Sequence, residues 1–278
     1  MENLEQAVAG YYGGAGLLAR IDAGLKTAGV DPAHLKPGDL APVDEFHVGG
    51  RVATQHALSK MALRASDHVL DVGCGLGGAA RYVAAQFGCR VAGIDLTPEY
   101  IAVAQELTAR LGLTDALSFE IASALAMSFE DAAFDAAITF HVAMNIPDRA
   151  GLYREIARVL RPGATFCIYD VMKTGPGDIV YPVPWSETAE TSHVASPEET
   201  EGYLRQAGFE VVETENRHDF AVQFFRRRLA GGDSEGPPPL GIHLMMGETW
   251  REKFRNMLEN IEAGWIAPVQ MIARLAAE

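Results

Sequence analysis

The sequence predicts an α/β fold with a doubly wound, mostly parallel sheet, and three observations lead there. From residue 68 onward, short apolar runs alternate with helical patterns, the rhythm of strand–helix–strand units. The first apolar run ends in a glycine-rich turn, "LDVGCGLGGAAR", with the spacing G-x-G-x-x-G at Gly73, Gly75 and Gly78. Apolar residues make up 48% of the 278 residues, ample for a buried core around such a sheet.

In chain order, residues 1 to 66 read as helical, interrupted by the loop "DPAHLKPGDLAPVDEFHVGG". "HVLDV" is a strand, followed by a helix to about Phe87. "CRVAGID" is the second strand, and Pro98 opens a helix to about Leu111. "ALSFEIA" and "FDAAITF" are the third and fourth strands, and a helix runs from Asp148 to Val159. "RPG" punctuates, and "ATFCIYDV" is the fifth strand. Residues 173 to 195 are rich in proline and glycine. A helix then starts at Ser196-Pro197-Glu198-Glu199, with a capping serine, a first-turn proline and acids at the positive end. "GFEVVETE" is strand-like, a helical stretch broken by "GGDSEGPPPLG" follows, and the tail "IAPVQMIARLAA" reads as a last strand. The expected organisation is a single domain, 1–278. It has an N-terminal helical cap (1–66), a cofactor-binding core (67–172), lid and substrate-side insertions around one strand (173–264) and a C-terminal strand (265–278).

Composition narrows the partners. A formal charge of −14 argues against a nucleic-acid backbone. Arg226, Arg227 and Arg228 form the one basic run, read as a solvated helix face. No run of about 18 apolar residues predicts a membrane span. The opening "MENLEQAVAGYY" is acidic and mixed, unlike a signal peptide. Cys74, Cys89 and Cys167 are sparse and lack a C-x-x-C pair, which suggests reduced thiols in a cytoplasm. No histidine pair has helical ligand spacing, so no metal site is expected.

The glycine spacing serves two cofactors, a dinucleotide and S-adenosylmethionine (SAM), and the neighbouring acids decide between them. Asp71 lies two residues before the first glycine, at the end of its strand. A carboxylate there repels a pyrophosphate, whereas it suits the sulfonium and ammonium of SAM. Asp95, in "GIDLT", is the acid about 20 residues on that accepts hydrogen bonds from ribose hydroxyls. Leu96 beside it is placed to cover one face of an adenine. Thr97 fits the helix cap before Pro98, which leaves Asp95 for the ligand.

"LDVGCGLGGAARYVA" with "VAGIDLT" resembles the class I SAM-dependent methyltransferases. "SFEDAAFDAAITFHVAMNIPD" and "LYREIARVLRPGATFCIYD" resemble the same family's third to fifth strands, so the likeness runs from about residue 44 to the end. It implies a Rossmann-like, seven-stranded sheet with helical lid segments, and SAM as cofactor. Asp71, Gly73, Cys74, Gly75, Asp95 and Leu96 are then cofactor-binding, with backbone contact at His141. Tyr11 and Tyr12 resemble N-terminal tyrosines that close over SAM, and Tyr12 is included in the site. The family often carries an aspartate after its third strand, for the adenine amino group. Here Ser123 stands in that place, with the backbone of Ala124 as a substitute contact. Asn145 stands where relatives often have histidine; it can position a substrate but cannot act as a base.

A narrower likeness lies in "DEFHVGGRVAT", "YPVPWSETAETSHVASPEE" and "LRQAGFEVV", which are similar to the sarcosine and dimethylglycine N-methyltransferases. It implies methyl transfer to a small molecule, with an amine such as sarcosine or dimethylglycine leading and O- or C-methylation as the alternative. His47 is the candidate base, Trp185 the candidate cation–π face and Arg51 or Arg81 the candidate clamp for a substrate carboxylate, with bracing of the glycine loop as the alternative role of Arg81. A homodimer is compatible with this likeness. The rivals from other classes are an NAD-dependent oxidoreductase and a non-catalytic SAM-binding protein.

Overall fold

The computed structural model describes residues 2–13, 16–230 and 236–277. Among the described residues three α-helices precede the sheet: α1 (Glu2–Tyr12), α2 (Leu17–Thr27) and α3 (Arg51–Leu58). The alternation follows as β1 (His68–Val72), α4 (Gly78–Phe87), β2 (Arg90–Asp95), α5 (Pro98–Arg110), β3 (Leu117–Ile121), β4 (Phe134–Phe140), α6 (Arg149–Val159) and β5 (Leu160–Lys173). The remainder is α7 (Pro197–Gln206), β6 (Phe209–Asn216), α8 (His218–Leu229), α9 (His243–Met246), α10 (Trp250–Glu262) and β7 (Ile266–Leu275).

The strands form one seven-stranded sheet in the order β3-β2-β1-β4-β5-β7-β6. β1 to β5 pair in parallel, and β7 lies antiparallel to both β5 and β6. Strand order reverses between β1 and β4, so a crevice opens there beyond their carboxyl ends. The central strands are apolar on both faces because helices cover both, as β1 shows with Val69, Leu70 and Val72 fully buried. α3, α4 and α5 supply the apolar cluster on one face, α6 and α7 the cluster on the other. α8 and α10 pack with Val48, Met144 and Trp185 into a third cluster over the open end of the sheet. The start of α7 has the expected capping box: Ser196 Oγ accepts from Glu199 N–H at 3.1 Å, and Ser196 N–H donates to Glu199 Oε2 at 2.8 Å.

Two local expectations are corrected. "RPG" does not precede the fifth strand but lies within it. Leu160 pairs with Phe134, the ladder slips, and pairing resumes at Thr165 opposite Ala136. A bulge accommodates the proline, which has no N–H to give to a ladder. Thr97 makes no side-chain cap at α5; Asp95 Oδ1 accepts the Thr97 N–H instead, at 2.8 Å. In the break "GGDSEGPPPLG", residues 231–235 lie outside the described residues, and α8 ends just before them. Among the described residues no helix is long and apolar enough to cross a membrane.

Candidate active site

The glycine turn after β1 shapes the crevice. Gly73 (φ +73°) turns where a side chain would collide with Val142 after β4, and its N–H donates to Ile94 O at 2.8 Å. At Gly78 a side chain would strike the Asp44 carbonyl, so the third glycine lets residues 44–48 ride directly over the turn. That close passage brings His47 above the ends of β1 and β4.

One cavity at this end is lined by Tyr12, His47, Asp71, Gly73, Cys74, Gly75, Asp95, Leu96, Ser123, Ala124, His141, Asn145 and Trp185, whereas the nominated Arg51 and Arg81 do not line it. One half carries the acids and glycines. Asp71 is 2% exposed, and its Oδ2 has no hydrogen-bond partner. Burial, with Asp95 nearby, pushes its pKa up to about 7. Asp95 accepts from Gly75 N–H at 3.0 Å and from Thr97 N–H at 2.8 Å. Burial raises its pKa, and these backbone bonds oppose the rise. The same burial holds the Cys74 thiol neutral. Ser123 Oγ donates to Glu5 Oε1 of α1 at 2.5 Å and accepts from Leu125 N–H at 3.1 Å.

The other half is apolar. Phe46, Val48, Phe140, Met144 and Trp185 line it, with Phe224 and Phe225 from α8, Ile242 and Met245 from the connection, and Phe254 and Met257 from α10. No Lys or Arg is among the described residues lining either half. The nominated arginines are engaged elsewhere. Arg81 donates to Asp44 Oδ2 at 3.0 Å and to Leu76 O at 2.7 Å, bracing the glycine turn. Arg51 pairs with Glu45 and lies over the Tyr82 ring. The expected carboxylate clamp is therefore corrected: both guanidiniums are used up by buried acids.

Two histidines face the junction of the halves. His47 Nε2 lies 3.1 Å from Gly50 O, which can only accept, so that nitrogen carries the proton and Nδ1 the lone pair. Burial lowers His47 to about 4, so near neutrality the ring is uncharged and a weak base. His141 holds a left-handed backbone at φ +58°, unusual for a side chain with a Cβ, and its N–H donates to Tyr169 O at 2.7 Å. Its Nε2 is buried without a partner, and burial drives its pKa well below the usual value. Trp185 is 4% exposed, donates from Nε1 to Ser192 Oγ at 2.9 Å, and is both a core and a cavity residue. Tyr12 bridges the halves, ringed by Tyr11, Phe46 and Tyr100.

The sequence reading missed Glu5, Val8, Glu45 and the phenylalanines of α8 and α10. Their helical spacing marks an apolar stripe, but nothing in it distinguishes a cavity wall from a core.

Residues 70–168 match the family model described as a methyltransferase domain. The chain is 30% identical over 178 residues to the methyltransferase GfsG of Streptomyces halstedii, covering 63% of this chain and 64% of that protein. It is 32% identical over 180 residues to the O-methyltransferase resE of Aspergillus sclerotiorum, covering 63% and 67%. The match spans less than two thirds of the length of the first curated relatives, down to 36% for a sterol 4-C-methyltransferase. The fold is like that of the geranyl diphosphate C-methyltransferase of Streptomyces coelicolor A3(2), with a TM-score of 0.71 at 16% identity, covering 98% of this chain and 97% of that one.

Proposed function

This chain belongs to the methyltransferase family, and on that premise we propose that it carries the methyl group of SAM to a bulky, largely apolar small molecule. The observation behind this reading is the division of one cavity into an acidic, glycine-lined half and an apolar half. SAM, when bound, supplies an electrophilic methyl group on a sulfonium. The first half fits it. Asp71 offers an unpartnered buried oxygen to the ammonium, and Asp95 has lone pairs left for ribose hydroxyls. A pyrophosphate would meet the same two acids with no cation among the described lining residues, which together with the family membership removes the NAD-dependent reading.

The second half excludes water and aligns the acceptor, the protein's main tasks in a displacement with a good leaving group. An apolar acceptor is favoured over sarcosine or dimethylglycine because a zwitterion's carboxylate finds no Lys or Arg there. His141, whose Nε2 is buried without a partner, lines the same cavity beside the nucleophile. Trp185 and the phenylalanines accommodate an amine carried on an apolar body, by contacts worth about 0.5–2 kcal/mol to a cation. Asn145 and Tyr12 bound the acceptor beside the methyl group, and the chain acts as one catalytic domain with 173–264 as its substrate-side roof.

The test is label transfer from SAM to a panel holding apolar amines, phenols and alcohols alongside glycine, sarcosine and dimethylglycine. Methylation confined to the zwitterions would overturn the apolar assignment. Tight SAM binding without turnover on any acceptor would favour the non-catalytic reading.

A further inference from the structure

Beyond Asp95 the cavity wall is made by Leu96 and by Ala122–Leu125, at the carboxyl end of β3. On the SAM reading above, a ribose at Asp95 sets the nucleobase against this stretch. Most of its side chains are apolar and can only cover the base's face. The exocyclic amino group of adenine brings two N–H donors, and each needs an acceptor when buried.

Ser123 cannot meet both donors. Its Oγ accepts from Leu125 N–H and gives its one proton to Glu5 Oε1, which leaves a single lone pair. The acid at the other end of that bond comes from α1, 118 positions away in sequence, and Glu5 itself lines the cavity. A carboxylate accepts about four hydrogen bonds, and Ser123 takes one. We propose that Glu5 is the acceptor for the adenine amino group, with Ser123 holding its carboxylate in place. The contact is charge-assisted and reads the base by its donors. It also ties recognition to the N-terminal helix, because α1 carries Val8 and Tyr12 into the same cavity. Seating the base and seating α1 become one event.

Calorimetry with S-adenosylhomocysteine and S-inosylhomocysteine tests this, since the second ligand replaces the amino group by a carbonyl oxygen. The wild-type chain should bind the adenosyl ligand about ten- to a hundredfold more tightly. Glu5→Ala should bring the two affinities to within about threefold, and Glu5→Ala with Ser123→Asp should restore the preference. Glu5→Gln, which keeps the size of the side chain, should reduce the preference as well. A wild-type chain without preference, or a Glu5→Ala variant that keeps it, would overturn the proposal and leave the SAM reading standing. A wild-type chain that binds neither ligand would overturn both.

Discussion

Burial and the nearby Asp95 hold Asp71 near 7, while an unfolded aspartate titrates near 4. Between those values the folded chain keeps a proton that the unfolded chain has lost. Stability without ligand therefore falls as pH rises through this window, and is lowest above it. An ammonium beside the carboxylate reverses the preference. Cofactor binding at pH 6 should release on the order of one proton, and affinity should climb with pH until about 7 and then level off. Calorimetry at pH 6 in two buffers of different ionisation enthalpy measures that proton; identical heats would take Asp71 away from the ammonium. Asp95→Ala should lose two ligand bonds worth about 1.5–3 kcal/mol each. It should also loosen the turn, because Gly75 and Thr97 lose their acceptor. An unchanged SAM dissociation constant in the folded variant would remove Asp95 from the site. These two acids were legible because strand ends beside a glycine turn have fixed chemistry. The reading of Arg81 as a brace of the glycine turn matches its bond to Leu76 O, whereas Arg51 was misread as a clamp because its partners, Asp44 and Glu45, face it only in the folded chain. Glu5 was invisible for the same reason.

At the scale of elements, the strap between β5 and α7 does two jobs through one side chain. Trp185 fills the third apolar cluster and also faces the acceptor half of the cavity. Trp185→Ala should cost about 3–5 kcal/mol of stability by leaving a void, and so cannot isolate the ligand contact. Trp185→Phe keeps an aromatic face and loses the bond to Ser192. It should raise the acceptor KM several-fold while leaving SAM affinity unchanged, as steady-state kinetics with both substrates would show. Equal loss for both substrates would place Trp185 in the scaffold alone. The elements themselves were largely legible. Apolar runs bounded by glycine and proline marked the strands, and Ser196 with its following acids marked α7. The bulge at Arg161–Pro162–Gly163 was not, since proline reads as a stop unless the partner strand is known to slip there. Nor could the apolar stripes of α8 and α10 say that part of each faces an opening.

For the whole molecule, the roof and the sheet share the ligand, so occupancy should stabilise both. S-adenosylhomocysteine at a hundredfold excess over its dissociation constant contributes about 2.7 kcal/mol. For a chain of this size that should raise the Tm by about 5 °C. A thermal scan without any shift would count against a preformed cofactor site. The order of the strands has a further effect, on synthesis. β7 is wedged between β5 and β6 and is the last strand to be made among the described residues. While the ribosome is still adding Ile266–Leu275, β5 shows an open edge, and β6 with α8 has no neighbour to join. The nascent protein must hold these apolar surfaces unsatisfied until Ile266–Leu275 has been made and can pair, which is when helpers that shield sticky chains matter most. A chain that lacks Ile266–Leu275 would thus be unable to close its sheet.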